Sequence, residues 1–82
     1  MKRSQKLRML DFLREYGWIT NRVCMINLNI NNPFQRMKEL RSLIQVEDKF
    51  VKSKSGSRFK VFYINERKLK GYIRRNNLEV MG

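Results

Sequence analysis

Histidine is missing from this 82-residue chain, and cysteine and proline occur once each. With no imidazole and Cys24 as the lone thiol, no zinc site of the usual ligand types can be assembled. A single cysteine also rules out an internal disulfide, which makes a reducing compartment the default. As for Cys24 itself, a small buried apolar residue is a better reading than a redox sensor, because free cysteines are mostly buried. Acids are scarce: 7 Asp and Glu stand against 19 Lys and Arg. Nearly all sit beside basic residues, so their spacing offers no nucleophile–base pair, and neither a catalytic residue nor a cofactor nor a bound metal is expected. Long apolar runs are missing too. None approaches the roughly 20 residues that a membrane span needs. The start MKRSQK is basic like that of a signal peptide, but Arg8 and Asp11 interrupt the apolar stretch that should follow, so a cytoplasmic location is expected.

What the chain has is positive charge. A net charge of +12 on a length that suits one small domain points to a polyanionic partner. The charge is uneven. Residues 32–48 balance, with Arg36, Lys38 and Arg41 against Glu39, Glu47 and Asp48, whereas residues 49–65 hold Lys49, Lys52, Lys54, Arg58 and Lys60 with no acid.

The stretch Ile19 to Leu43 organises the chain. Thr20 is a good helix N-cap, and Val23, Cys24, Ile26 and Leu28 give a short helix its apolar positions. Asn29 suits the left-handed conformation that a chain reversal needs, which predicts a three-residue turn. Asn31 or Asn32 caps the next helix, with Pro33 in its first turn, where the missing N–H costs nothing. Phe34, Met37, Leu40 and Ile44 recur at helical spacing, leaving Asn32, Gln35, Arg36 and Glu39 on the other side. A short helix, a sharp turn and a half-polar second helix at about 32–43 predict a helix-turn-helix unit.

Around it, Ser4 to Tyr16 reads as a first helix with Leu7, Met9, Leu10, Leu13 and Tyr16 on its apolar stripe and Lys6, Arg8, Asp11 and Arg14 facing water. Gly17 stops it in the left-handed position, freeing Trp18 and Ile19 for a short extended segment. Val46 to Lys52 and Phe59 to Ile64 are rich in β-branched and aromatic residues and flank SKSGSR, so they predict a β-hairpin. Both of its faces are partly apolar, and the pattern does not say which one meets the core. The expected fold is α+β, a small winged-helix domain over residues 1–64 with three helices and a C-terminal hairpin wing. Residues 65–82 form a basic C-terminal helix or tail opened by Asn65, with Leu69, Tyr72 and Ile73 on one side. It has three equal readings: a helix docked on the domain, a dimer contact, or a frayed tail.

On this scheme the wing lies along phosphates through Lys52, Lys54, Ser55, Ser57, Arg58 and Lys60, while Asn31, Asn32, Gln35, Arg36, Lys38 and Glu39 face base edges. Phosphate contacts position and base contacts specify. An amide of Asn32 or Gln35 can pair with adenine, Arg36 can fork onto guanine, and Glu39 can accept from cytosine or hold Arg36 or Arg41.

The runs LDFLREYGWIT, LNI, RMKELR and KSKSGSRFKVFYI resemble the small helix-turn-helix proteins common in bacteriophage genomes. Their pattern is a helix ending in Gly, an I-T cap, an L-G-I turn, an R-I-x-D-L-R helix and a basic wing. The matching positions are Gly17, Ile19, Thr20, Leu28, Ile30, Arg36, Met37, Glu39, Leu40 and Arg41, and the resemblance spans residues 5 to 64. Asn29 stands in place of the turn glycine, and Pro33 and Phe34 replace more ordinary residues at the start of the reading helix. The resemblance implies a phage or prophage DNA-binding regulator acting in a bacterial host. It also implies that the Arg36-x-x-Glu39 pair holds helix to hairpin rather than reading bases.

Double-stranded DNA is therefore the leading expected partner, with a homodimer as one way to gain specificity. A different class is a protein-interaction module acting on a host or phage protein, for which Phe12, Trp18, Phe34 or Tyr72 would be anchors if exposed together. An excisionase-like accessory role shares the DNA-binding features, and RNA binding would use Phe59, Phe62 and Tyr63 for stacking.

Overall fold

A side-chain cap opens each helix. Ser4 accepts from the Leu7 N–H at 3.2 Å and starts α1 (Gln5–Tyr16). Thr20 accepts from the Val23 N–H at 3.2 Å and starts α2 (Asn21–Ile26). Asn32 accepts from the Gln35 N–H at 3.4 Å and starts α3 (Pro33–Arg41), with Pro33 in its first turn. Asn65 accepts from the Lys68 N–H at 3.1 Å and starts α4 (Glu66–Arg75). Each cap satisfies one of the donors that a helix start leaves free. The structure, a computed structural model, describes residues 4–81, so Lys2 and Arg3 of the basic N-terminus lie outside the described residues.

The strands are β1 (Trp18–Thr20), β2 (Glu47–Lys52), β3 (Arg58–Tyr63) and β4 (Glu79–Val80). Among the described residues the fold is α+β: four helices and a four-stranded antiparallel sheet in the order β1-β3-β2-β4. The extended segment after Gly17 does pair with the hairpin, Ile19 opposite Phe62.

Strand alternation resolves which hairpin face meets the core, because both faces of β3 are buried. Phe62 joins Met9, Leu13, Ile19, Cys24, Ile30, Met37, Leu40 and Val46 in a core with α1, α2 and α3. Its neighbours Val61 and Tyr63 point the other way and pack with Val51 and Leu69 under α4. Full burial of such aliphatic side chains contributes about 1.5–3 kcal/mol each. Residues 65–80 thus complete the domain: α4 covers one sheet face and β4 pairs with the outer edge of β2. Leu69, a candidate dimer residue, has no exposed surface. It is spent on this chain's own core, and Tyr72 and Ile73 are half-buried around it.

Gly17 is the joint between the two layers. Its φ of 81° ends α1, and its N–H donates to the Leu13 carbonyl at 2.7 Å. A Cβ there would stand 2.8 Å from the Lys68 Cβ and 2.9 Å from the Asn65 Cβ. Its carbonyl accepts from the N–H groups of Ile64 and Asn65 at 3.0 and 3.2 Å.

Other expectations need correction. The link from α2 to α3 spans residues 27–32 rather than three residues, because Ile30 turns inward and is buried. Bonds from Leu28 N–H to the Val23 carbonyl (3.1 Å) and from Ile30 N–H to the Cys24 carbonyl (2.8 Å) hold it, with Asn29 at φ 53° as expected. Helix α3 ends at Arg41, not 43: the Ser42 hydroxyl bonds the Glu39 carbonyl at 2.6 Å and tightens the last turn. Arg8 does not simply face water; its guanidinium donates to the Leu28 carbonyl and ties α1 to that link. Phe34 and Ile26 are not core residues, being 62% and 67% exposed.

Candidate nucleic-acid interface

Helix α3 buries Met37 and Leu40 and turns Gln35 and Lys38 outward, continuing the exposed Asn31 and Asn32. Nothing bonds the side chains of Gln35 and Lys38 among the described residues, so their donors and acceptors are free for a ligand. Asn32 is less free, since its Oδ1 caps the helix.

Arg36 and Glu39 were expected at the reading surface, paired with each other, or as a tie to the hairpin. Of these alternatives the structure has Glu39 holding Arg36: the two are half-buried and paired with each other within α3, at 3.1 Å between Nη1 and Oε1, and among the described residues neither reaches the hairpin as an ion pair. That pairing engages Nη1 alone, leaves the buried Nε without a partner among the described residues, and neutralises an acid that phosphate would repel. The tie to the hairpin is made one turn later. Arg41 bonds the Asp48 carboxylate on β2 and lies 5.3 Å over the Phe62 ring.

The hairpin register sets which basic groups work together. Lys52 lies opposite Arg58, Phe50 opposite Lys60 and Asp48 opposite Phe62, so these six side chains share one face. Phe62 belongs to the core under α1–α3, and Lys52, Arg58 and Lys60 therefore lie on the same side of the sheet as α3. Lys60 is partly engaged, 4.0 Å from Asp48 and 5.0 Å over the Phe50 ring. Lys49 sits on the other face, paired with Glu66 at 3.3 Å and over the Tyr63 ring. At the tip Lys54 is exposed and unpaired among the described residues. Gly56 takes φ 93° in open space, and the Ser57 N–H bonds the Ser53 hydroxyl at 3.1 Å. Ser55 bonds Ser53 at 2.8 Å, so its hydroxyl helps to shape the tip.

Two exposed aromatics join this surface, although the sequence pattern did not place them at a DNA interface. Phe34 stands in the first turn of α3, and Phe50, 53% exposed, sits among the hairpin's basic side chains. The alternation of β2 could have flagged Phe50, because it faces Lys60. Cys24 is buried, which pushes its thiol up to about 11 and leaves it protonated and unreactive. Among the described residues no group of His, Cys, Asp and Glu could hold a metal ion, and no helix is long and apolar enough to cross a membrane.

No protein-family model matches this chain, and neither does any curated protein or solved structure.

Proposed function

We propose that this chain is a winged-helix protein that binds double-stranded DNA, with α3 in the major groove and the β2–β3 hairpin along the adjacent backbone. One observation carries the reading. The unbonded polar face of α3 and the basic face formed by Lys52, Arg58 and Lys60 lie on one side of the sheet, and Arg41–Asp48 joins the two elements. The element order α1-β1-α2-α3-β2-β3 supports the winged-helix assignment. Gln35 is the base reader of choice, through a bidentate amide contact to adenine. Lys38, Lys52, Lys54 and Arg58 supply sequence-independent attraction to phosphate. The bacteriophage-type pattern around Gly17, Thr20 and Arg36–Arg41 supports a transcriptional regulator of a phage or prophage. A module of this size buries about 600–1,000 Å² on DNA, so a regulator of this kind works with a second copy or a neighbouring protein.

The exposed Phe34, Ile26 and Met25 favour a second reading, a protein partner seated on the α2–α3 link. Selection of bound duplexes from a random pool separates the two. Enrichment of a common motif, abolished in a Gln35→Ala protein, supports DNA reading; a pool that stays random removes sequence-specific DNA binding and leaves the protein partner.

A further inference from the structure

Helix α4 carries a second positive surface. Arg67, Lys70 and Arg74 recur at i, i+3 and i+7, and all are exposed, so they form one stripe along the helix. None of them forms an ion pair among the described residues. The one acid of this helix, Glu66, is held by Lys49, and Lys68 is spent on the Glu15 carbonyl at 2.9 Å. Arg75 lies along Gly71 and, with Arg67 and Lys68, lines a groove of about 500 Å³ between α1 and α4, where Glu15 is the one acid. Like charges at this spacing repel. The helix dipole offsets that for Arg74 and Arg75 in the last turn, but it disfavours Arg67 in the first. No contact within the chain compensates the stripe; an external polyanion would.

Position decides what that polyanion is. Helix α4 packs on the Val51–Val61–Tyr63 face, and α1–α3 with Lys52, Arg58 and Lys60 belong to the opposite face. DNA is stiff over about 150 base pairs. A duplex seated on α3 and the wing cannot fold back around a body whose shorter extents are 22 and 19 Å. We propose that the Arg67–Lys70–Arg74 stripe is a second duplex-binding surface, so that one molecule holds two DNA segments side by side. The stripe offers only Arg and Lys, so it grips phosphates without regard to sequence. The inference rests on the α3 face being a duplex binder.

The test is a capture assay: one duplex on beads, a second labelled duplex of unrelated sequence in solution, and the full chain added at low salt. The wild type is expected to retain the label and to release it as salt rises. In Arg67→Gln/Lys70→Gln/Arg74→Gln, all at exposed positions, anisotropy should show binding of a single duplex within about threefold of wild type, while capture falls at least about tenfold. Undiminished capture by this variant overturns the proposal, because bridging would then come from paired α3 faces. Wild-type binding of one duplex without capture also overturns it and leaves an acidic protein surface as the partner of the stripe. No binding of any duplex sinks the α3 reading as well, and anisotropy recognises that case separately.

Discussion

Arg41, the last residue of α3, bonds Asp48 near the start of β2 and lies over the Phe62 ring. The two elements proposed to touch DNA are thereby held at one angle by an ion pair at the surface of the domain. The side chains of the pair are 42% and 32% exposed, so its worth to stability is small, about 0–1 kcal/mol. In the proposed DNA interface its role is to hold the hairpin in position relative to α3. Arg41→Ala should leave the urea midpoint nearly unchanged and weaken duplex binding. A protein that binds as tightly as wild type would show that the two elements act independently.

Gln35 and Lys38 should separate by kind of effect. Gln35→Ala should cost about 1–3 kcal/mol of discrimination between the selected site and a random duplex. Lys38→Ala should weaken both duplexes alike and lower the salt slope by about one. Arg36→Ala, which breaks an ion pair inside α3, should leave discrimination unchanged and lower the melting temperature. Equilibrium titrations on the two duplexes and a thermal melt read all three.

Leu69 anchors the α4 face with no exposed surface. Leu69→Ala should cost about 2–5 kcal/mol in denaturant unfolding, with no change in sedimentation behaviour. A shift in oligomeric state without loss of stability would restore the dimer reading.

Gly17→Ala places a side chain in the left-handed region, at about 1–2 kcal/mol, and drives its Cβ against Lys68 and Asn65. Chemical denaturation should show a loss above that figure. A loss below it would mean that α4 moves aside at little cost.

Cys24 should react slowly with a thiol reagent in the native protein and completely in denaturant. Burial keeps its folded thiol protonated up to about 11, above the ordinary thiol value of 9.0 that the unfolded chain approaches. Stability from this group is therefore full below about pH 9 and disappears as pH rises from there towards 11. Fast native labelling would contradict its burial.

Much of this architecture was legible because it depends on local chemistry. Thr20, Asn32 and Asn65 cap, Gly17 and Asn29 take left-handed backbone, and a Gly-centred polar run turns the hairpin. What escaped depends on distant packing. Phe34 shares helical spacing with Met37, yet it stands about 60° round the axis in a first turn that projects beyond the core. Ile30 looks like a turn residue but plugs into the core, which lengthens the link. The pairing of Arg41 with Asp48 turns on which face each side chain meets. The hairpin's alternation could not reveal that α4 returns to cover its second face.

The most direct test is a salt titration of fluorescence anisotropy with the wild type and a Lys52→Gln/Lys54→Gln/Arg58→Gln wing variant, on one duplex. Tight, steeply salt-dependent binding is expected of the wild type. In the variant the slope should be about three units shallower, one for each phosphate that is no longer neutralised. Equal slopes for the two proteins would contradict it, placing the bound DNA away from the wing.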